Sequence, residues 1–395
     1  MGGRHVSVAE RRARLGRRHH LAPGARAATA AEAAGDLVGL HGTDPASVVL
    51  AALARLRAGD PAAVEREMYG QRALVRMLGM RRTVFVVPLD LAAVVQAACT
   101  LAIAARERRA FLRLLSEAGV AADAEAWLAD VEAGVLRALA ARGEATAVEL
   151  AAAEPRLRTS ILMAAGKPYE ARQNVTTRVL FQLSAEGHIV RGRPLGSWTS
   201  SQVRWAPISA LPGGGLAEWP VGAAQVELVR RWLRAYGPAT VADVKWWTGW
   251  PAGEVRAALA RLAPVEVDLD GTAGLLLPDD VAPEPPVKPW AALLPALDPT
   301  AMGWSQRAWY LGEHAAALFD RSGNVGPTVW WAGRIVGGWA QRPDGEVAVR
   351  LLEDVGADAR GAVADAADRV RAHLGDVRVT PRFRTPLERE LSAPG

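Results

Sequence analysis

The chain has 395 residues, half of them hydrophobic and 23% charged, with 47 basic residues against 42 acidic for a net charge of +5. This is ordinary globular composition at a length that allows several domains. The single cysteine, Cys99, excludes an internal disulfide and a cysteine-built metal site. No apolar run reaches the roughly 18 to 20 residues that cross a bilayer, so a protein of the reducing cytoplasm, without a membrane partner, is expected.

Residues 1–26 carry seven arginines and one acid but no apolar signal core, and they read as a basic arm continuous with the fold. Nearly all basic residues of the chain are arginine, whose planar fork suits phosphate, although an Arg- and Ala-rich genome would leave the same mark. An alanine-rich helix then runs into GLHGTDPASV, residues 39–48. Asp44 before Pro45 reads as a helix N-cap with proline at the first helical position. Gly42 fits a position just past a helix end. His41 has no comparable structural duty, which makes it a candidate for chemistry.

Further along, residues 61–78 are predicted helical, Gly79 breaks the helix, and Arg81–Val87 reads as a strand. Residues 171–186 have apolar residues at helical spacing up to Gly187, followed by HIVRGR and QVRWAP as two strands around the turn PLGSWTSS. A more compact copy follows. Residues 224–236 form a helix, Thr240 caps TVADVKWW, Pro251 opens a third helix, and Asp270-Gly271 turns a hairpin. Helices followed by a hairpin, three times over, make the winged helix-turn-helix arrangement, with wings near 80–88, 188–206 and 264–277. The proline-rich VAPEPPVKPW is a linker. Beyond it lie short strands with turns at Ala332-Gly333 and Asp344-Gly345, a last helix and a closing strand, DVRVTP. The expected fold is α+β: three tandem winged helix-turn-helix units (1–120, 121–215 and 216–282) followed by a small β-rich α/β C-terminal domain (283–395).

The chain lacks a Walker loop, a GxGxxG after a strand, HExxH and GxSxG. Seven histidines without ligand spacing predict no metal, and no cofactor is expected. Arg172, Gln173 and Arg178, with Thr176 and Thr177, fall on the predicted third helix of the second unit and are types that contact phosphates and base edges. Arg191, Arg193 and Arg204 flank the second wing, and Arg81 and Arg82 stand at the first. Gln202 joins them as a candidate DNA contact. Trp198, at the second wing's tip, is the candidate to stack on a base. Most of the 14 tryptophans are expected in the core, and adjacent ones on a strand must face opposite ways.

GLHGTDPASV, MRRTVFVVP, GSWTSSQVRWAP, YGPATVADVKWWTGW, LDPTAMGWSQRAWYLG and GNVGPTVWWAGRIVGGWAQ together resemble the winged-helix DNA glycosylase superfamily, over nearly the whole chain. Members confer azinomycin resistance or unhook interstrand crosslinks. The family's motif, Gln-x-Gln or Gln-x-Asp, falls at His41-Gly42-Thr43-Asp44. His41 takes the place of the first glutamine, Thr43 is in register with the second polar residue, and Asp44 lies one position later. The resemblance implies a monofunctional glycosylase acting on N7-alkylated or crosslinked guanine in duplex DNA. It would work as a monomer in the nucleoid-containing cytoplasm, with His41, Thr43 and Asp44 catalytic and His41 able to titrate near neutrality. A DNA-binding regulator that kept the winged units, or a protein that sequesters an alkylating drug, are the competing readings.

Overall fold

The computed structural model describes residues 4–163, 166 and 170–393. Three small sheets recur along it, each built from one hairpin and one two-residue strand. In the first, Leu40–His41 lies antiparallel on Val84–Pro88, which pairs with Leu74–Leu78. In the second, Ala145–Thr146 lies antiparallel on Val203–Pro207, which pairs with Ile189–Pro194. In the third, Val265–Leu269 and Thr272–Leu276 turn at Asp270-Gly271, both left-handed with φ of 53° and 90°. Its third strand is Arg4–His5, which runs parallel to Val265–Leu269.

The N-terminal arm is therefore tied to the third hairpin, and its charge is consumed inside the protein. Arg14, 2% exposed, pairs with Glu10 and Asp280. Arg18 pairs with Asp280, and Arg17 with Glu284. The arginines of this arm, a type suited to phosphate, work largely as a part-buried strap.

Several local expectations change. Residues 74–78 are strand rather than helix: the helix Pro61–Glu65 passes through a π-turn, Arg66–Gly70, and ends. The sequence LVRML favours helix by propensity, but pairing with Val84–Pro88 buries four of its five residues, and tertiary contact overrides propensity. Ala171–Asn174 is also a strand, paired with Ser160–Met163, so Arg172 and Gln173 lie outside the helix, which spans Thr176–Ala185. DVRVTP forms no strand. Its backbone bonds to a side chain instead: the Val379 N–H donates to Gln341 Oε1 at 2.8 Å, and Gln341 Nε2 donates to the Val377 carbonyl at 3.1 Å.

Residues Leu89–Glu117 make one long helical run, the only candidate membrane span among the described residues by length and composition. Its apolar stretch is 56% buried and packs against helix Val221–Tyr236, as a core helix does. Around it lies an aromatic core in which Trp232, Trp247 and Tyr236 are all at most 2% exposed. The C-terminal part is a four-stranded antiparallel sheet in chain order: Ala291–Leu294, Thr328–Trp331, Arg334–Gln341 and Val347–Leu351. Helix Ala357–Leu374 covers one face. Trp330 is fully buried and Trp331 half-buried, the division that strand alternation requires.

Candidate active site

The helix Ala30–Asp36 stops well short of the motif, and His41 sits in a strand instead of at a helix end. Val38 (φ 53°) and Gly39 (φ 106°) reverse the chain so that Leu40 and His41 can pair with Val86 and Phe85. The Gly42 N–H donates to the Val84 carbonyl at 2.7 Å. A Cβ on Gly42 would stand 3.1 Å from the Val84 side chain and 3.2 Å from the Phe85 backbone, so this close approach favours glycine. Beyond Thr43 the chain leaves the sheet. Asp44 caps helix Pro45–Leu53, its Oδ1 accepting from the Ala46 N–H at 3.2 Å. The cap and its proline are as expected.

His41 is 4% exposed, with its ring 4.6 Å from that of Phe85. Phe85 in turn meets Trp247 at 6.3 Å, so the imidazole ends a chain of rings rooted in the aromatic core. Burial, reinforced by the positive charge of Arg81, pushes its pKa down to about 3. The expectation that His41 titrates near neutrality is thereby corrected: desolvation penalises the imidazolium, and the ring is neutral at pH 7. No hydrogen bond reaches its nitrogens among the described residues. A neutral imidazole offers one N–H donor and one acceptor.

Asp44 is more committed. Its Oδ2 accepts from the backbone N–H of Arg382, 338 residues away, at 3.2 Å. The carboxylate thus joins a helix start to the C-terminal segment and is 7% exposed. Each oxygen retains a further lone-pair direction. Thr43 is half-buried, and its hydroxyl has no hydrogen bond among the described residues. Behind the motif, Arg76 Nε donates to the Gly42 carbonyl at 2.9 Å and holds the turn from the neighbouring strand.

The proposed DNA contacts are scattered more widely. Arg81 has a left-handed backbone (φ 54°) and stacks on Trp246 at 4.1 Å; burial, then Arg307, lowers its pKa to about 10. Arg82 is exposed and bonded to Glu107. Arg172, Gln173, Arg193 and Gln202 are exposed, and Arg193 lies 3.4 Å from Glu65. Arg178 is half-buried with its guanidinium 5.8 Å from the Phe111 ring, and Arg204 lies 3.6 Å from Glu149. Trp198 is the departure. It is 8% exposed and packs in one cluster with Met68, Leu74 and Val86, so the ring face expected to meet a base already meets protein. The second hairpin's tip thus enters the apolar cluster that also holds residues of the first sheet.

Sequence reading missed Arg76 and Arg382. Arg76 was hidden in an expected helix, and Arg382 carries no local signal at all. It also expected no metal ligands, yet His20, Glu32 and Asp36 bring ligand atoms within 4.8 Å of one another. His20 Nε2 lies at hydrogen-bond distance, 2.8 Å, from Asp36 Oδ2, which accounts for the grouping without an ion.

A family model described as DNA glycosylase AlkZ-like matches residues 34–373. Among solved structures, the Streptomyces sahachiroi DNA glycosylase AlkZ superposes with a TM-score of 0.71 at 22% identity, covering 96% of this chain and 99% of that one. This likeness establishes a shared fold. No curated protein matches the chain by sequence.

Proposed function

The chain belongs to the AlkZ-like DNA glycosylase family, and from that premise we propose that it excises N7-alkylated or crosslinked guanine from duplex DNA, with His41, Thr43 and Asp44 at the reacting centre. The three helix–hairpin units are read as winged helices gripping the duplex, with residues 283–395 as a fourth, β-rich domain. The protein is read as a monomer of the cytoplasm.

The observation that carries the assignment is the state of His41: a neutral ring packed against Phe85, two residues before Thr43, whose hydroxyl has no hydrogen bond among the described residues. A glutamine at this place would likewise be neutral and would likewise both donate and accept. His41 therefore acts as a hydrogen-bonding group that orients water, and not as an acid. Little acid catalysis is needed, because alkylation at N7 leaves the guanine cationic. The C1′–N9 bond breaks, its electron pair leaves with N9, and the departing base becomes neutral. The sugar carries the positive charge until water adds at C1′. Asp44 stabilises that charge and receives the water's proton, directly or through solvent. GLHGTDPASV contains no lysine to form a Schiff base, in keeping with simple hydrolysis.

The test is incubation with duplex carrying N7-methylguanine or a nitrogen-mustard crosslink, with abasic sites revealed by alkali. Well-folded protein that yields no alkali-labile sites on either substrate refutes the reading for those lesions. Tight binding to one DNA sequence without excision would favour a regulator.

A further inference from the structure

Arg76 and Arg382 bond to the motif from distant parts of the chain, and Arg191 lies within electrostatic reach of Arg76. Arg76 comes from Leu74–Leu78 and touches Gly42 through Nε alone. Arg191 comes from Ile189–Pro194, which packs alongside that strand, and its guanidinium lies 4.9 Å over the Trp205 ring. Arg382 bonds to Asp44 through its backbone N–H, which leaves its exposed side chain uncommitted. Among the described residues none of the three forms an ion pair, although the arginines of the N-terminal strap mostly do. Their charges bear on one another: burial and then the charge of Arg76 lower the Arg191 pKa to about 10, and the Arg76 pKa is lowered chiefly by burial, with Tyr69 and Asp44 opposing and Arg382 adding to the fall. The Asp44 carboxylate offsets part of this at Arg76 without forming an ion pair, but three guanidinium groups against one nearby carboxylate leave positive charge under-neutralised in a partly desolvated place, which is unfavourable. A phosphate removes that penalty, and the guanidinium fork suits its oxygens.

We propose that Arg76, Arg191 and Arg382 form a pocket for one phosphodiester group of a DNA strand, fixing the backbone next to the nucleotide presented to His41. The presentation to His41 rests on the glycosylase reading, whereas the anion pocket does not.

The experiment measures binding of undamaged duplex by fluorescence anisotropy across a salt series. Arg382→Gln keeps the backbone bond to Asp44 and should fold normally. Its Kd should rise several-fold, and the slope of log Kd against log salt should fall by about one, as for loss of one phosphate contact. Arg191→Lys keeps the charge but loses the fork, so affinity should fall with the slope nearly unchanged. A single neutral methylphosphonate at the contacted position should weaken the wild type more than Arg382→Gln, in which Arg76 and Arg191 alone still meet that phosphate. Wild-type affinity and slope in both variants, at unchanged melting temperature, overturns the pocket. Inorganic phosphate that displaces duplex at equal phosphate concentration would assign the site to free phosphate and overturn the DNA assignment. Because the duplex is undamaged, loss of the glycosylase reading would leave these results standing. Unchanged binding in an active enzyme would remove only the pocket.

Discussion

The first and second sheets are built alike and differ at one junction. Leu40–His41 and Ala145–Thr146 each lie on the second strand of a hairpin, and Leu40 and Ala145 are both fully buried. In the second sheet Thr146 itself caps helix Ala147–Ala153 in a reciprocal capping box, accepting from the Glu149 N–H at 3.2 Å. In the first, Gly42 and Thr43 stand between the strand and its cap, Asp44. Those two residues let His41 keep its ring free of capping duty while the backbone stays pinned to Val84. A structural junction becomes a candidate reactive one through a two-residue spacer and a histidine with no other task.

The largest effect separating the two junctions should come from His41. His41→Ala is expected to lower kcat on N7-methylguanine duplex by about a hundredfold or more, while His41→Gln should stay within about tenfold of wild type. Equal loss in both would mean that the imidazole does something a neutral amide cannot. Asp44→Ala comes next. It removes a cap costing ~0.5–2 kcal/mol and also frees Arg382, and urea unfolding should report this beside the drop in rate. Thr146→Ala, the matching change in the second sheet, should cost a similar ~1 kcal/mol with kcat unaltered. A slower Thr146→Ala enzyme would show that the two junctions are not functionally distinct.

Acid supplies a finer contrast. The folded-state pKa of His41 is depressed to about 3 from an ordinary 6.5. The unfolded chain therefore binds the extra proton first, and stability present above pH 6.5 is lost as pH falls from there toward 3. His19, buried on Trp304 and pushed down by burial and then by Arg55, adds to the same slope. His41→Gln should flatten part of the fall in urea midpoint between pH 7 and pH 5. The smallest effect belongs to His5, whose pKa is raised by its hydrogen bond to Asp270. Its contribution is present below pH 6.5 and lost as pH rises through the raised value. Being exposed, it should be near the limit of a melting measurement, so a clear loss in His5→Ala would indicate that the N-terminal strand matters more than its charge pair does.

Much of this was legible locally. The Asp44-Pro45 cap, the Thr240 cap and the Asp270-Gly271 turn each depend on neighbours within four residues, and each is found where expected. Partners far along the chain were not legible. Leu74–Leu78 is a strand because Val84–Pro88 lies beside it, and Trp198 is buried because it joins an apolar cluster built from distant parts of the chain. The site divides in the same way. His41 and Asp44 stood out as residue types at a junction, but the neutrality of His41 depends on Phe85 and Arg81, and the second partner of Asp44 arrives from residue 382.

The strand Arg4–His5 has a bearing on how the molecule comes to exist. Arg4–His5 has no sheet to join until Val265–Leu269 has been made. Arg14 and Arg18 likewise wait for Asp280. During synthesis the strap must therefore stay open while the residues between are completed, and its closure joins segments made far apart in time. The motif at 41–44 lies inside that span, so the candidate site reaches its final surroundings only after most of the polypeptide has emerged.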